Sequence, residues 1–440
     1  MYAPMSALSY TLLSFAIILI LSRLKVPLWL AICGGAGSLG IFFGLGGMGL
    51  ARVAWAAATD AASIGLLLTV ALLLILSEAM RQTGRLERMV SLIQAFLRRP
   101  AITMAALPAL IGLLPMPGGA IFSAPMVRQA AGDNRIDGDM LSAVNYWWRH
   151  IWEHWWPLYP GVILAMSLTN SDLLTFAAFQ IPLGIFMVLG GIIILRALHP
   201  DMRQIGPPPP PGTKLKILQA IAPIGLVLIV WFACDMVFKA VVGWMGIEAG
   251  AGHAGLLPLA GKFAPLILGL VASLVFTLWS KPLPARQVVR LMMGKELVPL
   301  LGLVLSVMIY QHMLTDVNAA AAIGRELIAM HVPLTSVVIL LPFIAGLLTG
   351  VAFGFVGVSF PLVLSLVASM PDHPAMRPYA VLAYACGHLG MMISPTHLCY
   401  VVSNRYFGAT FSATSRLIVW PCLLVVILEA AYFLLLKWAM

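Results

Sequence analysis

Charge is scarce in this chain. Only 10% of its 440 residues are Asp, Glu, Lys or Arg, whereas 61% are hydrophobic. A water-soluble domain of this length has no use for so much apolar surface, so that class is excluded. Acids are scarcer than bases, 16 against 26, which gives a net charge of +10. A basic balance can signal nucleic acid, but here loop orientation in a membrane accounts for it and no nucleic-acid partner is expected. Cysteine is also sparse: five residues, at 33, 234, 386, 399 and 422, make no paired spacing. That excludes a disulfide framework or a zinc knuckle and leaves them as small apolar packing residues. The first apolar run, 7–22, lacks a basic leader and a small-residue cleavage site, so it reads as a retained span.

What is abundant is long apolar sequence. A membrane-crossing helix needs about 20 apolar residues. Ten candidate spans fall at 7–22, 27–47, 61–80, 141–168, 173–198, 217–239, 263–280, 297–314, 378–403 and 412–438. Two further stretches, 101–127 and 333–370, are broken by Pro and Gly clusters and read as re-entrant hairpins. Their non-helical tips are tolerated at membrane depth only where protein or water surrounds them. Residues 84–99 place apolar side chains at helical spacing beside several arginines, which predicts an interfacial helix.

Segments 101–183 and 335–422 repeat one another. Prolines at 108, 125, 157 and 182 are matched by prolines at 342, 361, 395 and 421. Gly112 parallels Gly346, and Ser123 with Pro125 parallels Ser359 with Pro361. His150 and His388 each lie seven residues before a matched proline, with Tyr146 and Tyr384 four residues before them. The predicted fold is therefore an all-α polytopic membrane protein built of two repeats, 1–198 and 217–440, joined by a Pro-rich cytoplasmic linker, 199–216. Each repeat holds five crossings and one hairpin, and an odd number of crossings inverts the second copy. With both termini outside, every Lys and Arg falls on or near the cytoplasmic side except Arg52, Lys239, Lys262, Arg325, Arg377 and Lys437. Repeated interrupted segments in two halves are the sequence mark of a secondary-transporter site.

The candidate site residues follow from the interruptions. In the first tip, Pro117, Gly118 and Gly119 release backbone groups and let a ligand approach, with Ser123 just beyond. In the second tip, Gly354, Gly357 and Ser359 hold the corresponding places. The first helix break carries Asn145, Arg149, His150, Glu153 and His154 before Pro157. Arg149 offers a forked donor to a carboxylate. Glu153, four residues on, would share its helix face and pair with it. The second break supplies His388, Ser394, Thr396 and His397 around Pro395. Arg149, Asn145, His150, His388 and Thr396 are thus expected to read substrate, and Glu153, Ser394 and Thr396 to hold a coupling ion. His150, Glu153 and His154 also match the H-x-x-E-H spacing of a zinc protease, an alternative that lacks a third ligand. Glu78, Asp235 and Glu429 are intramembrane acids suited to proton relay, with no partner evident for Glu429.

The segments LLPMPGGAIFSAPMV (113–127), NYWWRHIWEHWWPLYPG (145–161) and ISPTHLCYVVSNRYFG (393–408) resemble an integral-membrane family, the domain-of-unknown-function family 401, which is grouped with the ion-transporter superfamily. The resemblance implies inverted repeats, paired re-entrant hairpins, elevator-like movement, a homodimer, and carriage of anions such as di- and tricarboxylates with sodium or protons. The Ser-Asn-Thr signature of the dicarboxylate-sodium branch is absent from both tips. The expectation is a secondary active transporter of a small organic anion in the inner membrane, coupled to sodium or protons, with no enzymatic role and no cofactor beyond a sodium ion. A passive anion channel and the intramembrane metalloprotease are the alternatives.

Overall fold

A computed structural model describes residues 6–440, apart from 117–118, 133–135, 199–207, 245–255, 293, 295–296, 371 and 373. Among the described residues every regular element is a helix. The first ten are α1 (Ala7–Arg23), α2 (Leu28–Phe42), α3 (Gly47–Thr59), α4 (Ala61–Gln82), α5 (Arg85–Phe96), α6 (Pro100–Gly112), α7 (Ala120–Ala131), α8 (Gly138–Arg149), α9 (Pro160–Leu168) and α10 (Leu173–Arg196). The next ten are α11 (Thr213–Trp244), α12 (Leu256–Ser280), α13 (Ala285–Met292), α14 (Leu297–Asp316), α15 (Ala319–Ala329), α16 (Leu334–Thr349), α17 (Ala352–Ala368), α18 (Met376–Met392), α19 (Leu398–Phe407) and α20 (Phe411–Ala439).

In lipid a helix satisfies its own backbone, which is why apolar runs this long adopt nothing else. Among the described residues six helices are long and apolar enough to cross a membrane: α4, α10, α11, α12 (over Gly261–Ser280), α14 and α20. The protein is a multi-pass membrane protein. The spans expected at 7–22 and 27–47 are the shorter apolar helices α1 and α2, the second ending at Phe42. Those expected at 141–168 and 378–403 are each two helices divided by an unwound segment. Side chains cap several starts. The Asp60 carboxylate accepts from the Ala62 and Ser63 amides at 3.0 and 3.1 Å, and that of Asp172 accepts from the Thr175 amide at 3.0 Å.

The expected interfacial helix is α5, which buries Leu86, Met89 and Val90. The short helices α3, α13 and α15 were not foreseen. They occupy loops that lack the 20-residue apolar signature. Of the Pro-rich linker, Pro208 to Pro211 are non-helical and α11 begins at Thr213; 199–207 lie outside the described residues.

Packing partners recur with a shift of ten helices. α2 packs on α14 as α12 packs on α4, and α1 on α15 as α11 on α5. Likewise α9 packs on α17 as α19 packs on α7, and α10 on α18 as α20 on α8. The apolar stretches 101–127 and 333–370 are helix–turn–helix pairs, α6 with α7 and α16 with α17, each pair packed together. Three polar contacts at helix ends each join positions that the charge distribution assigns to one face. Arg52 pairs with Asp316 at 3.2 Å, Lys262 donates to Asn170 Oδ1 at 3.3 Å, and Lys281 donates to the Thr83 carbonyl at 2.9 Å.

Candidate functional site

The site begins with two close backbone approaches. A methyl group at Gly112 would overlap the Arg149 carbonyl oxygen, and one at Gly346 would overlap that of Gly387. Residues 149 and 387 each immediately precede a matched histidine, so α6 meets α8 as α16 meets α18. The residue before each matched proline then ties its break to the adjacent hairpin. Trp156 Nε1 donates to the Leu113 carbonyl at 3.0 Å, and Ser394 Oγ donates to the Leu347 carbonyl at 2.7 Å.

The breaks also hold each other. Tyr146 OH, from the first, donates to the Met392 carbonyl at 2.9 Å; Tyr384 OH, from the second, donates to the Glu153 carbonyl at 2.7 Å. An unwound segment frees carbonyls that buried hydroxyls must satisfy. Here each tyrosine serves the opposite half. Gly350 turns the second tip with φ of 65°, and its α-carbon side lies against the backbone of His397, where any Cβ would stand 2.9 Å from the amide nitrogen. Only glycine fits that turn and that approach.

Both tips and both breaks converge on a cavity of about 190 Å³. Pro115 and Met116 come from the first tip, and residues 350–353 from the second. Arg149, Glu153 and Tyr159 come from the first break, and His397 and Cys399 from the second. A second recess of about 310 Å³ shares Leu74, Pro115 and Met116 with it and extends to Glu78, Arg81 and Arg290.

Arg149 is the dominant charge. It is 3% exposed, its Nη2 donates to the Met116 carbonyl at 2.9 Å, and its Nη1 has no partner. Gly119 leaves the room the guanidinium occupies, since a Cβ there would collide with it. The expected Arg149–Glu153 ion pair does not form. α8 stops at Arg149, so the four-residue spacing no longer places the two on one helix face. Glu153 instead lies 3.9 Å from His150 Nε2 and 3.9 Å from His388 Nε2, and its Oε2 has no hydrogen-bond partner.

The same end of α8 separates His150 from His154. His150 Nδ1 donates to the Tyr146 carbonyl at 2.6 Å, and its ring packs edge-on against His397 with centroids 4.7 Å apart. His154 is fully buried, its ring 3.9 Å from that of His388 and its Nε2 3.6 Å from Glu429. Among the described residues the H-x-x-E-H pattern therefore gathers no metal site of its own, and Glu429 has His154 as a polar neighbour, without a hydrogen bond between them. Glu78 pairs with Arg81, and Asp235 pairs with Lys239 at 2.8 Å.

Of the other expected site residues, several are engaged elsewhere. Asn145 Nδ2 donates to Ser403 Oγ at 2.8 Å and to the Ala120 carbonyl at 3.3 Å. Ser123 and Ser359 donate to carbonyls of their own helices, those of Ala120 and Phe355. Gly354 and Gly357 make room for Thr349 and Val307, which is packing. Ser394 and Thr396 bond to each other at 2.8 Å. Pro117 and Gly118 lie outside the described residues. Tyr159 and Cys399 were missed. Tyr159 OH donates to the Gly112 carbonyl at 2.6 Å, and a tyrosine between two prolines, 157 and 160, was the available signal.

These features define a class: a helical, multi-pass membrane protein with a mostly apolar pocket, lined by interrupted helices, into which Arg149, Glu153 and His397 are set. The chain belongs to the family described as "Protein of unknown function (DUF401)", which matches residues 5–245 and 253–436. No curated protein matches it. Among solved structures, Neisseria gonorrhoeae MtrF, described as illuminating a class of antimetabolite efflux pumps, is 13% identical, with 97% of this chain and 94% of that chain covered and a TM-score of 0.49. The Alcanivorax borkumensis YdaH transporter, described as having an unusual topology, is 12% identical, with 90% of each chain covered and a TM-score of 0.43.

Proposed function

We propose that the protein is a secondary active transporter of a small organic anion, with a carboxylate as substrate. One observation carries the reading. A buried guanidinium with an unused donor stands in a cavity where both tips and both breaks meet. A charge left unpaired at membrane depth is expensive, and intramembrane charges typically mark a substrate or ion pathway. A carboxylate in the cavity would complete the fork of Arg149. Glu153 lines the same cavity, so an anion and a charged Glu153 would repel; protonation of Glu153 would couple the two. The hydroxyls of Ser394 and Thr396 are the sodium alternative, since hard cations take oxygen ligands.

In this reading the halves are inverted repeats, 1–198 and 217–440, that carry the site across the inner membrane by an elevator-like movement within a homodimer, with both termini outside. The shift-by-ten packing and the one-sided clustering of helix-end contacts support it. The larger recess reaches Arg81 and Arg290, which the positive-inside pattern assigns to the cytoplasmic face, and this supports reading the present form as inward-open. Grouping with the ion-transporter superfamily belongs to the same proposal.

The test is thermal denaturation of purified protein against mono-, di- and tricarboxylates, with and without sodium. Ligand at 100 times its dissociation constant stabilises by about 2.7 kcal/mol. A carboxylate should raise the melting temperature of the wild type and not of Arg149→Ala. No response to any carboxylate, or an equal response in both proteins, would overturn the reading. Uptake into proteoliposomes then separates carrier from passive channel: accumulation that collapses when both ion gradients are dissipated belongs to a carrier.

A further inference from the structure

We propose that His150, His397 and Cys399 form a transition-metal site that bridges the two helix breaks. All three are buried, and one ligating atom from each lies within 4.8 Å of the others. Among the described residues they are the one such trio. Two imidazoles and a thiol select zinc, copper(I) or cobalt over magnesium, calcium or sodium, which prefer oxygen.

The hydrogen bonds prepare the imidazoles for this role. His150 gives its Nδ1 hydrogen to the Tyr146 carbonyl, which leaves Nε2 with a free lone pair, and that atom is buried without a partner. His397 Nδ1 lies 3.3 Å from both the Met391 carbonyl and Tyr146 OH. Tyr146 has committed its own hydrogen to the Met392 carbonyl, so Nδ1 of His397 is also the donor and its Nε2 is free. A metal-ligating histidine almost always donates its second nitrogen in this way.

Glu153 Oε1 lies 3.9 Å from His150 Nε2 but outside the close trio, and would move in as the fourth ligand when an ion binds in place of the proton it otherwise takes. Binding a divalent ion forms a metal–sulfur bond and releases the Cys399 thiol proton to water in the cavity. Thiolate and carboxylate then balance the two charges of the ion, and Arg149 keeps its charge for an anion. Zinc–sulfur bonds of about 2.3 Å and zinc–nitrogen bonds of about 2.0 Å set the ligands roughly 3.5 Å apart. The site must therefore contract by about an ångström, drawing the first break toward the second.

Cobalt(II) titration of the purified, full-length protein tests this with no need of a substrate. One equivalent should produce the thiolate-to-cobalt charge-transfer absorption and the visible bands of a tetrahedral ion. Cys399→Ser should lose the charge-transfer absorption, and His150→Gln should weaken binding. No absorption in the wild type, or absorption that survives Cys399→Ser, overturns the site. Should the variants fail to fold, mass-spectrometric alkylation of the wild type decides. Zinc should protect Cys399 from a small maleimide and leave Cys33 and Cys234 unchanged; equal alkylation of Cys399 with and without zinc overturns the site. Neither outcome depends on an anion being carried.

Discussion

At the scale of single residues, the small side chains do as much as the charged ones. Gly119 leaves the space that the Arg149 guanidinium fills at the first tip, and α18 can lie on α16 because Gly346 and Gly390 have no Cβ. A Cβ at Gly390 would meet the Phe343 carbonyl, which is backbone and cannot rotate away. Overpacking of this kind costs about 1–3 kcal/mol. Gly390→Ala should therefore lower the melting temperature in detergent clearly. Gly225→Ala in α11 is the matched control: nothing lies within 4 Å of its Cβ, and alanine is the better helix former by about 1 kcal/mol. Its melting temperature should hold or rise. A Gly390→Ala protein as stable as that control would show that α16 and α18 are not in backbone contact.

At the scale of elements, the breaks organise the site, and they were legible because proline and glycine punctuate helices wherever they cluster. Pro157 and Pro395 marked both unwound segments, and the matched Tyr–His pairs marked their registers. The chemistry inside the breaks was harder to read. Arg149 and Glu153 sit four apart in sequence, but that spacing has meaning only while the helix continues, and α8 ends at the first of them. Cys399 reads from sequence as packing, because a lone thiol carries no spacing signal; the fold brings His150 to it from 249 positions earlier. The reciprocal tyrosine bonds were equally hidden, as each joins residues more than 200 positions apart. Their reciprocity makes a prediction. Tyr146→Phe and Tyr384→Phe each leave a buried carbonyl unsatisfied, at about 1–3 kcal/mol. If the bonds clamp two breaks of one assembly, the double variant should lose less stability than the two single losses together predict, since releasing one break already loosens its partner. Strict additivity of the three melting temperatures would show that the clamps act independently.

At the scale of the whole molecule, the shift-by-ten packing has a geometric consequence that a labelling experiment reads directly. α3 follows the second helix of the first half, and α13 follows the second helix of the other half, so the two are counterparts. Halves inverted with respect to one another must put these counterparts on opposite faces of the bilayer. Halves in parallel orientation must put them on the same face. Met48 on α3 is 86% exposed and Val289 on α13 is 55% exposed, so each can be replaced by cysteine with little loss of packing. In a background without the five native cysteines, a membrane-impermeant maleimide added to intact cells should label Met48→Cys. Val289→Cys should react only after the membrane is opened if, as the positive-inside pattern of Arg286 and Arg290 predicts, α13 lies at the cytoplasmic face. The reverse pattern would invert the orientation while keeping the halves opposed. Equal labelling of both from one side would leave the tips and breaks without a common depth at which to meet, and the transport reading would fall with the inversion.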